Sequence, residues 1–311
     1  MHIPVLYKEI IHALQPHSGG RYVDGTVGAG GHARGILEAC APDGLLLGLD
    51  VDPQALALAR ETLAPYEQRT HLAQASYITL GKQLADLGWD AVDGIVLDLG
   101  ASSMQFDNPE RGFSFMQDGP LDMRFGPHAL QSAADIINAC DEKDLADLIF
   151  RYGEDRDSRK IARAIVANRP LRTTRELVAV IEKASPRPFD RLRAARGSRI
   201  HPATRTFQAL RIAVNEELSA VENVLPQAVS SLRRGGRFAV ISFHSLEDRI
   251  VKDFFREQSK DLINPPYEKI HEVERRAVVG IINKKPLVAS DEEVKSNPRA
   301  RSAKLRIIEK L

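Results

Sequence analysis

One segment constrains the fold of this chain more than any other: Tyr22-Val23-Asp24-Gly25-Thr26-Val27-Gly28-Ala29-Gly30-Gly31-His32. An apolar strand ends in an acid and runs into a glycine-rich turn, and the turn opens a helix over 33–40. A helix start exposes unpaired N–H groups. Glycines let that backbone approach a ligand with no Cβ in the way. A second strand, 45–49, ends in Asp50, where a carboxylate can take both hydroxyls of a ribose. Together these features predict a nucleoside-containing cofactor at the first strand-to-helix turn.

The alternation continues for a hundred residues. Asp52-Pro53 is an N-cap followed by proline at the first helical position. A third strand is expected over 71–75, with Ser76 and Tyr77 at its end, then a helix over 78–87. A fourth strand over 92–98 ends in Asp98 and runs into Leu99-Gly100-Ala101-Ser102-Ser103. Such alternation gives an open, mostly parallel sheet, with ligands beyond the carboxyl ends of its strands. Gly28 to His32, Asp50, Tyr77 and Asp98 all fall there.

The rhythm then breaks. Residues 104–124 read as loop, and helical patterns follow at 133–139, 142–151, 158–168 and 175–183. A loop rich in proline and arginine spans 186–201, and a long helical stretch runs from Ala203 to near Arg234. A strand returns over 237–243, then a helix over 246–257, and segments 278–282 and 304–308 read as a closing antiparallel pair. The expected fold class is α/β: a doubly wound sheet, mostly parallel with an antiparallel strand near the C-terminus, interrupted by an all-helical insertion. The expected division is a cofactor-binding domain of residues 1–104 and 212–311, and a helical substrate domain of residues 105–211.

Charge follows the same division. The net charge of +1 hides an excess of 12 acids in residues 1–150 and an excess of 10 bases in residues 151–211. Fourteen arginines carry most of the second. Arginine's fork pairs with phosphate and its plane stacks on bases, so this segment points to a polyanion. Only two cysteines occur, Cys40 and Cys140, without metal-ligand spacing, so neither a disulfide framework nor a metal site is expected. With no apolar run long enough for a bilayer and no secretory pattern, a cytoplasmic location is expected.

The turn fits two cofactors. Gly28, Gly30 and Ala33 match the dinucleotide form G-x-G-x-x-A, which favours a nicotinamide enzyme. Asp24 opposes it, because an acid inside the turn repels a pyrophosphate. A pocket with Asp24 and Asp98 suits S-adenosylmethionine, whose methionine end is cationic and which has no phosphate. Asp24 has a plainer alternative role, capping N–H groups of its own turn. Tyr77 either stacks on adenine or packs, and His32 matters through its backbone N–H more than through its ring. The rival functions are a nicotinamide oxidoreductase and a non-catalytic RNA-binding module.

The turn resembles the first motif of the class I S-adenosylmethionine-dependent methyltransferases, with Thr26 where the first glycine usually stands. Further strings narrow the resemblance: Leu97-Asp98-Leu99-Gly100-Ala101-Ser102-Ser103, Glu110-Arg111-Gly112-Phe113-Ser114-Phe115, His201-Pro202-Ala203-Thr204-Arg205-Thr206-Phe207-Gln208-Ala209, Ser242-Phe243-His244-Ser245-Leu246-Glu247-Asp248-Arg249 and Asn297-Pro298-Arg299-Ala300-Arg301-Ser302. The set resembles the bacterial ribosomal RNA small subunit methyltransferase H family across almost the whole chain. That resemblance implies methyl transfer to the exocyclic N4 of a cytidine in the decoding region of 16S ribosomal RNA. The partner it implies is the small ribosomal subunit or its RNA. A homodimer is compatible with the sequence, which does not fix the oligomeric state. By position it implies cofactor contacts at Gly30, Gly31, His32, Asp50, Tyr77, Asp98 and Gln105.

The chemistry needs acceptors, because the cytosine amine is delocalised into its ring and is a poor nucleophile. Asp98, Ser102 and Ser103, on the loop after the fourth strand, are the catalytic candidates; the serines alternatively cap the following turn. Arg111, Phe113, Phe115, His201 and Arg205 are the substrate-binding candidates, although two phenylalanines in such a loop also commonly pin it to the core. His244 and Asp248 are expected to cap a helix rather than shape the pocket. Asn264-Pro265-Pro266-Tyr267 matches a string of amino methyltransferases but lies after the wrong strand, so it is read as a turn.

Overall fold

The computed structural model describes residues 4–185, 201–263 and 273–311. Asn264-Pro265-Pro266-Tyr267 and most of the arginine-rich loop lie outside the described residues. Nine strands are named here in chain order: β1 (Arg21–Asp24), β2 (Leu45–Asp50), β3 (Thr70–Gln74), β4 (Val92–Asp98), β5 (Leu232–Ser242), β6 (Leu262–Ile263), β7 (Val273–Arg275), β8 (Val279–Ile281) and β9 (Lys304–Lys310). Seven form one sheet in the order β3-β2-β1-β4-β5-β9-β8. The first five are mutually parallel. β9 runs antiparallel between β5 and β8. β6 and β7 pair apart from this sheet. The order reverses between β1 and β4, the switch point at which open α/β sheets hold their ligands.

The central strands read as continuous apolar runs because both faces are covered. Ile95 and Leu97 of β4 join one apolar cluster with Phe238 and Val240 of β5, while Val96, Ala239 and Ile241 join the other. The period of two sends alternate residues to opposite layers of helix. The helices Tyr7–Leu14, Gly31–Ala39 and Pro53–Leu63 contribute to one cluster, and Leu80–Asp86, Glu217–Ser231 and Ser245–Gln258 to the other.

The chain divides into two compact units, Met1–Gly100 with Leu218–Leu311, and Ala101–Glu217. These divisions differ by a few residues from the expected ones at 104/105 and 211/212. The second unit has its own core, in which Leu145 and Ile149, Ile161 and Ile165, and Leu177 and Ile181 repeat at helical spacing on successive helices.

Three local expectations need correction. The stretch from Ala203 is two helices, Pro202–Asn215 and Glu217–Ser231, because Glu216 turns left-handed at φ 50° and ends the first. The loop over 104–124 begins with a short helix, Ser103–Asp107, set by a reciprocal Ser102–Gln105 capping box. The helix Tyr7–Leu14, ahead of β1, was outside the sequence expectations.

Candidate active site

The glycine turn is held open by its own backbone. Gly25 N–H donates to Val96 O at 3.0 Å, and Val27 N–H to Leu49 O at 2.9 Å, tying the turn to both neighbouring strands. Gly30 caps the helix Gly31–Ala39 at φ 86°, a left-handed conformation that favours glycine. The His32 ring turns away into the core: it is 5% exposed, stacks on Tyr7, and its Nε2 lies 2.9 Å from Val5 O. Its backbone, not its imidazole, is what the turn presents.

Three carboxylates gather at the ends of β1, β2 and β4. Asp24 is 1% exposed, and its Oδ1 accepts from Thr26 N–H at 3.2 Å, so the capping role is real. Its Oδ2 is buried without a hydrogen-bond partner. Asp50 accepts from Gly28 N–H and Asp52 N–H, both at 2.9 Å, which locks the second strand end to the turn. Asp98 N–H donates to Thr26 Oγ1 at 2.7 Å, while its Oδ1 is buried and has no partner.

Burial dominates the electrostatics. It lifts the Asp24 carboxyl to about 7, with the Asp50 charge adding to the rise. Burial, then the Asp24 charge, then Glu247, lift Asp98 to about 8. Asp50 is also raised by burial. Such a cluster is costly unless a cation or a set of donors joins it. The pocket therefore disfavours a pyrophosphate and welcomes a cation.

The Tyr77 side chain is partly buried against the apolar layer and lies beside Gly25, where a Cβ would come within 3.3 Å of it. On the next element, Glu247 is 1% exposed and takes Phe243 N–H at 2.8 Å. Glu247 is not among the candidate site residues of the sequence. Its signal was its place three residues after the helix cap, where an acid completes a capping box. His244 caps that helix as expected, whereas Asp248 pairs with Arg306 at 2.7 Å and Lys304 at 3.4 Å instead of capping.

In the helical unit, Ser102 Oγ accepts from Gln105 N–H at 3.3 Å and Gln105 Oε1 accepts from Ser102 N–H at 2.9 Å. Gln105 is 5% exposed rather than a solvated loop amide. Ser103 is the first residue of the short helix. Phe113 is 4% exposed and stacks on Phe125, so it pins the loop to the core and offers no surface for a base. Arg111 is spent in the same way, donating to Arg124 O and Phe125 O at 2.9 Å. Phe115 and His201 are brought together, with ring centroids 4.7 Å apart. His201 Nδ1 accepts from Ala203 N–H, and Arg205 donates to Glu154 O.

A model of the MraW methylase family matches residues 1–311. This chain belongs to that family. As an MraW methylase it is a methyltransferase, and its cofactor is S-adenosylmethionine. The chain is 50% identical over 313 residues to a protein of Geotalea uraniireducens named "Ribosomal RNA small subunit methyltransferase H", with all of this chain and 98% of the relative covered. A protein of the same name from Dehalococcoides mccartyi is 50% identical over 310 residues, covering all of this chain and 86% of the relative. One from Heliobacterium modesticaldum is 48% identical over 314 residues, covering all of this chain and 98% of the relative. The residues present fit the cofactor, since the unpartnered Oδ2 of Asp24 and Oδ1 of Asp98 are the acceptors that a cationic amino acid end requires.

Proposed function

We propose that this MraW methylase transfers a methyl group to the exocyclic N4 of a cytidine in the decoding region of small-subunit ribosomal RNA. The observation that carries the donor half is the buried, unpartnered acid pair Asp24 and Asp98 beside the glycine turn. The names of the relatives and the basic segment 151–211 support the RNA half.

In this reading Gly30, Gly31 and His32 meet the donor through the start of their helix, Asp50 holds the ribose, Tyr77 flanks the adenine, and Asp98 and Gln105 are further contacts of the donor. When bound, S-adenosylmethionine supplies a methyl carbon on a cationic sulfur. Asp98, Ser102 and Ser103 accept the amine N–H groups, which frees the nitrogen lone pair from the ring and aligns it for attack. Positioning of this kind supplies much of the rate of such a transfer. One N–H proton must leave as the N–CH3 bond forms. Asp98 takes it in its deprotonated form, which burial makes an unusually strong base for a carboxylate. Phe115, His201 and Arg205, in the helical unit, bind the RNA.

The test is methyl transfer from labelled cofactor to small ribosomal subunits, bare ribosomal RNA and DNA, followed by nucleoside identification. Label in N4-methylcytidine from small-subunit RNA is expected. Label in another nucleoside, or in DNA alone, overturns the reading.

A further inference from the structure

We infer that His244 reads the cytosine ring, donating its Nε2–H to the ring nitrogen N3 while Asp98 accepts from the neighbouring exocyclic amine. This deepens the cytidine reading above and rests on it.

β4 and β5 are parallel neighbours with Asp98 opposite Ile241, and Leu99 N–H donates to Ile241 O at 3.0 Å. The chain therefore leaves β5 at Ser242 beside the place where β4 delivers Asp98. Two residues later His244 caps the helix Ser245–Gln258. Its Nδ1 accepts from Glu247 N–H at 3.4 Å. A ring nitrogen that accepts carries no proton, so the neutral ring bears its proton on Nε2.

That Nε2–H is unspent. The side chain is 9% exposed, and Nε2 has no hydrogen-bond partner. Glu247 Oε1 lies 3.1 Å away but off the direction of the N–H bond. The other Glu247 oxygen accepts from Phe243 N–H at 2.8 Å and His244 N–H at 3.3 Å, fixing the carboxylate and the segment that carries the ring. Buried polar groups without partners are rare enough that each calls for an explanation.

At the ends of two paired strands there is thus one buried donor, His244 Nε2–H, and one buried acceptor, Asp98 Oδ1. The Watson–Crick edge of cytosine presents the complement, an amine N–H beside the acceptor N3. Uracil presents the reverse, a carbonyl beside N3–H, so each of its groups would meet a like group. Enzymes that act on a base taken out of its stack read it along this edge. The acids around Asp98 are Asp24 on β1 and Glu247 on the helix after β5, and both already accept backbone N–H groups, Asp24 from Thr26 and Glu247 from Phe243. The imidazole supplies the donor.

The test uses whichever RNA form the wild-type protein methylates, carrying cytidine or 3-deazacytidine at the methylated position. Asn is a favoured N-cap, so His244→Asn keeps the cap and removes the distal donor. A loss of about 10- to 100-fold in kcat/KM on cytidine is expected, with unchanged donor affinity by calorimetry. His244→Gln, whose amide reaches further, restores part of the loss. On 3-deazacytidine, which has no N3 acceptor, wild type and His244→Asn should be equal. The inference is overturned if His244→Asn keeps full activity on cytidine, loses the same factor on both RNAs, or loses donor affinity. Failure of the underlying reading looks different: the wild-type protein then leaves cytidine N4 unmethylated.

Discussion

Asp98 concentrates the conflict between stability and activity in this protein. Its carboxyl stands near 8 and that of Asp24 near 7, against 3.8 for an ordinary aspartate. Between about pH 4 and 8 the folded protein therefore binds more protons at these groups than the unfolded chain does. Stability then falls as pH rises through that window. Without ligand, the two acids cost most above pH 8, where both are charged and buried together. Asp98→Asn removes one charge and keeps the shape. Thermal melts of the ligand-free protein should show Tm raised by at least ~3 °C at pH 8.5 and little changed at pH 4. The same variant should bind S-adenosylmethionine at least tenfold more weakly at pH 8.5. A Tm gain that is equal at both pH values would mean that the carboxylate is not the source of the cost. The aspartates were legible in the sequence because each ends an apolar run. The neighbouring Glu247 was not, because its proximity to Asp98 is created by the pairing of β4 with β5 across the insertion.

The strand–turn–helix element was readable almost to the residue, since a short apolar run, an acid and clustered glycines leave few alternatives. Asp52-Pro53 was readable for the same kind of reason: its side chain takes Gln54 N–H at 3.0 Å, as an N-cap must. The break at Glu216 was not, because a left-handed glutamate leaves no mark in hydrophobic periodicity. The Ser102–Gln105 box was written plainly as Ser-x-x-Gln but lay in a stretch whose glycines and prolines read as loop. Phe113 and Phe115 show the limit of composition: two residues apart in the same motif, one lies in the core and the other packs against His201. The turn itself can be tested at Gly30. An alanine there must hold φ 86° and place its Cβ 3.2 Å from Leu63 Cγ. Gly30→Ala should lower unfolding stability by about 1–2 kcal/mol in urea titration. It should also raise Kd for the cofactor.

The arginines of the helical unit do not all serve the same end. In the helical unit Arg151, Arg156, Arg159 and Arg172 are exposed, whereas Arg169 is committed to Ile137 O and Cys140 O and Arg211 to Glu217. The surplus of positive charge read from the sequence is therefore partly structural and partly open to solvent. Arg156→Glu with Arg159→Glu should weaken RNA binding uniformly and make the dependence of log K on log salt shallower by about 1–2. Cofactor affinity should not change. An unchanged salt slope would assign the RNA surface elsewhere.

The second unit, Ala101–Glu217, is a single long excursion of the chain between the end of β4 and the helix that leads into β5. The entropy of closing such an excursion grows only logarithmically, by about 0.6 kcal/mol for each doubling of its length. A chain can thus acquire or exchange a hundred residues at this junction with little penalty to the sheet. The cuts after Gly100 and before Leu218 work as a socket, where one helical module can replace another without rebuilding the strands on either side.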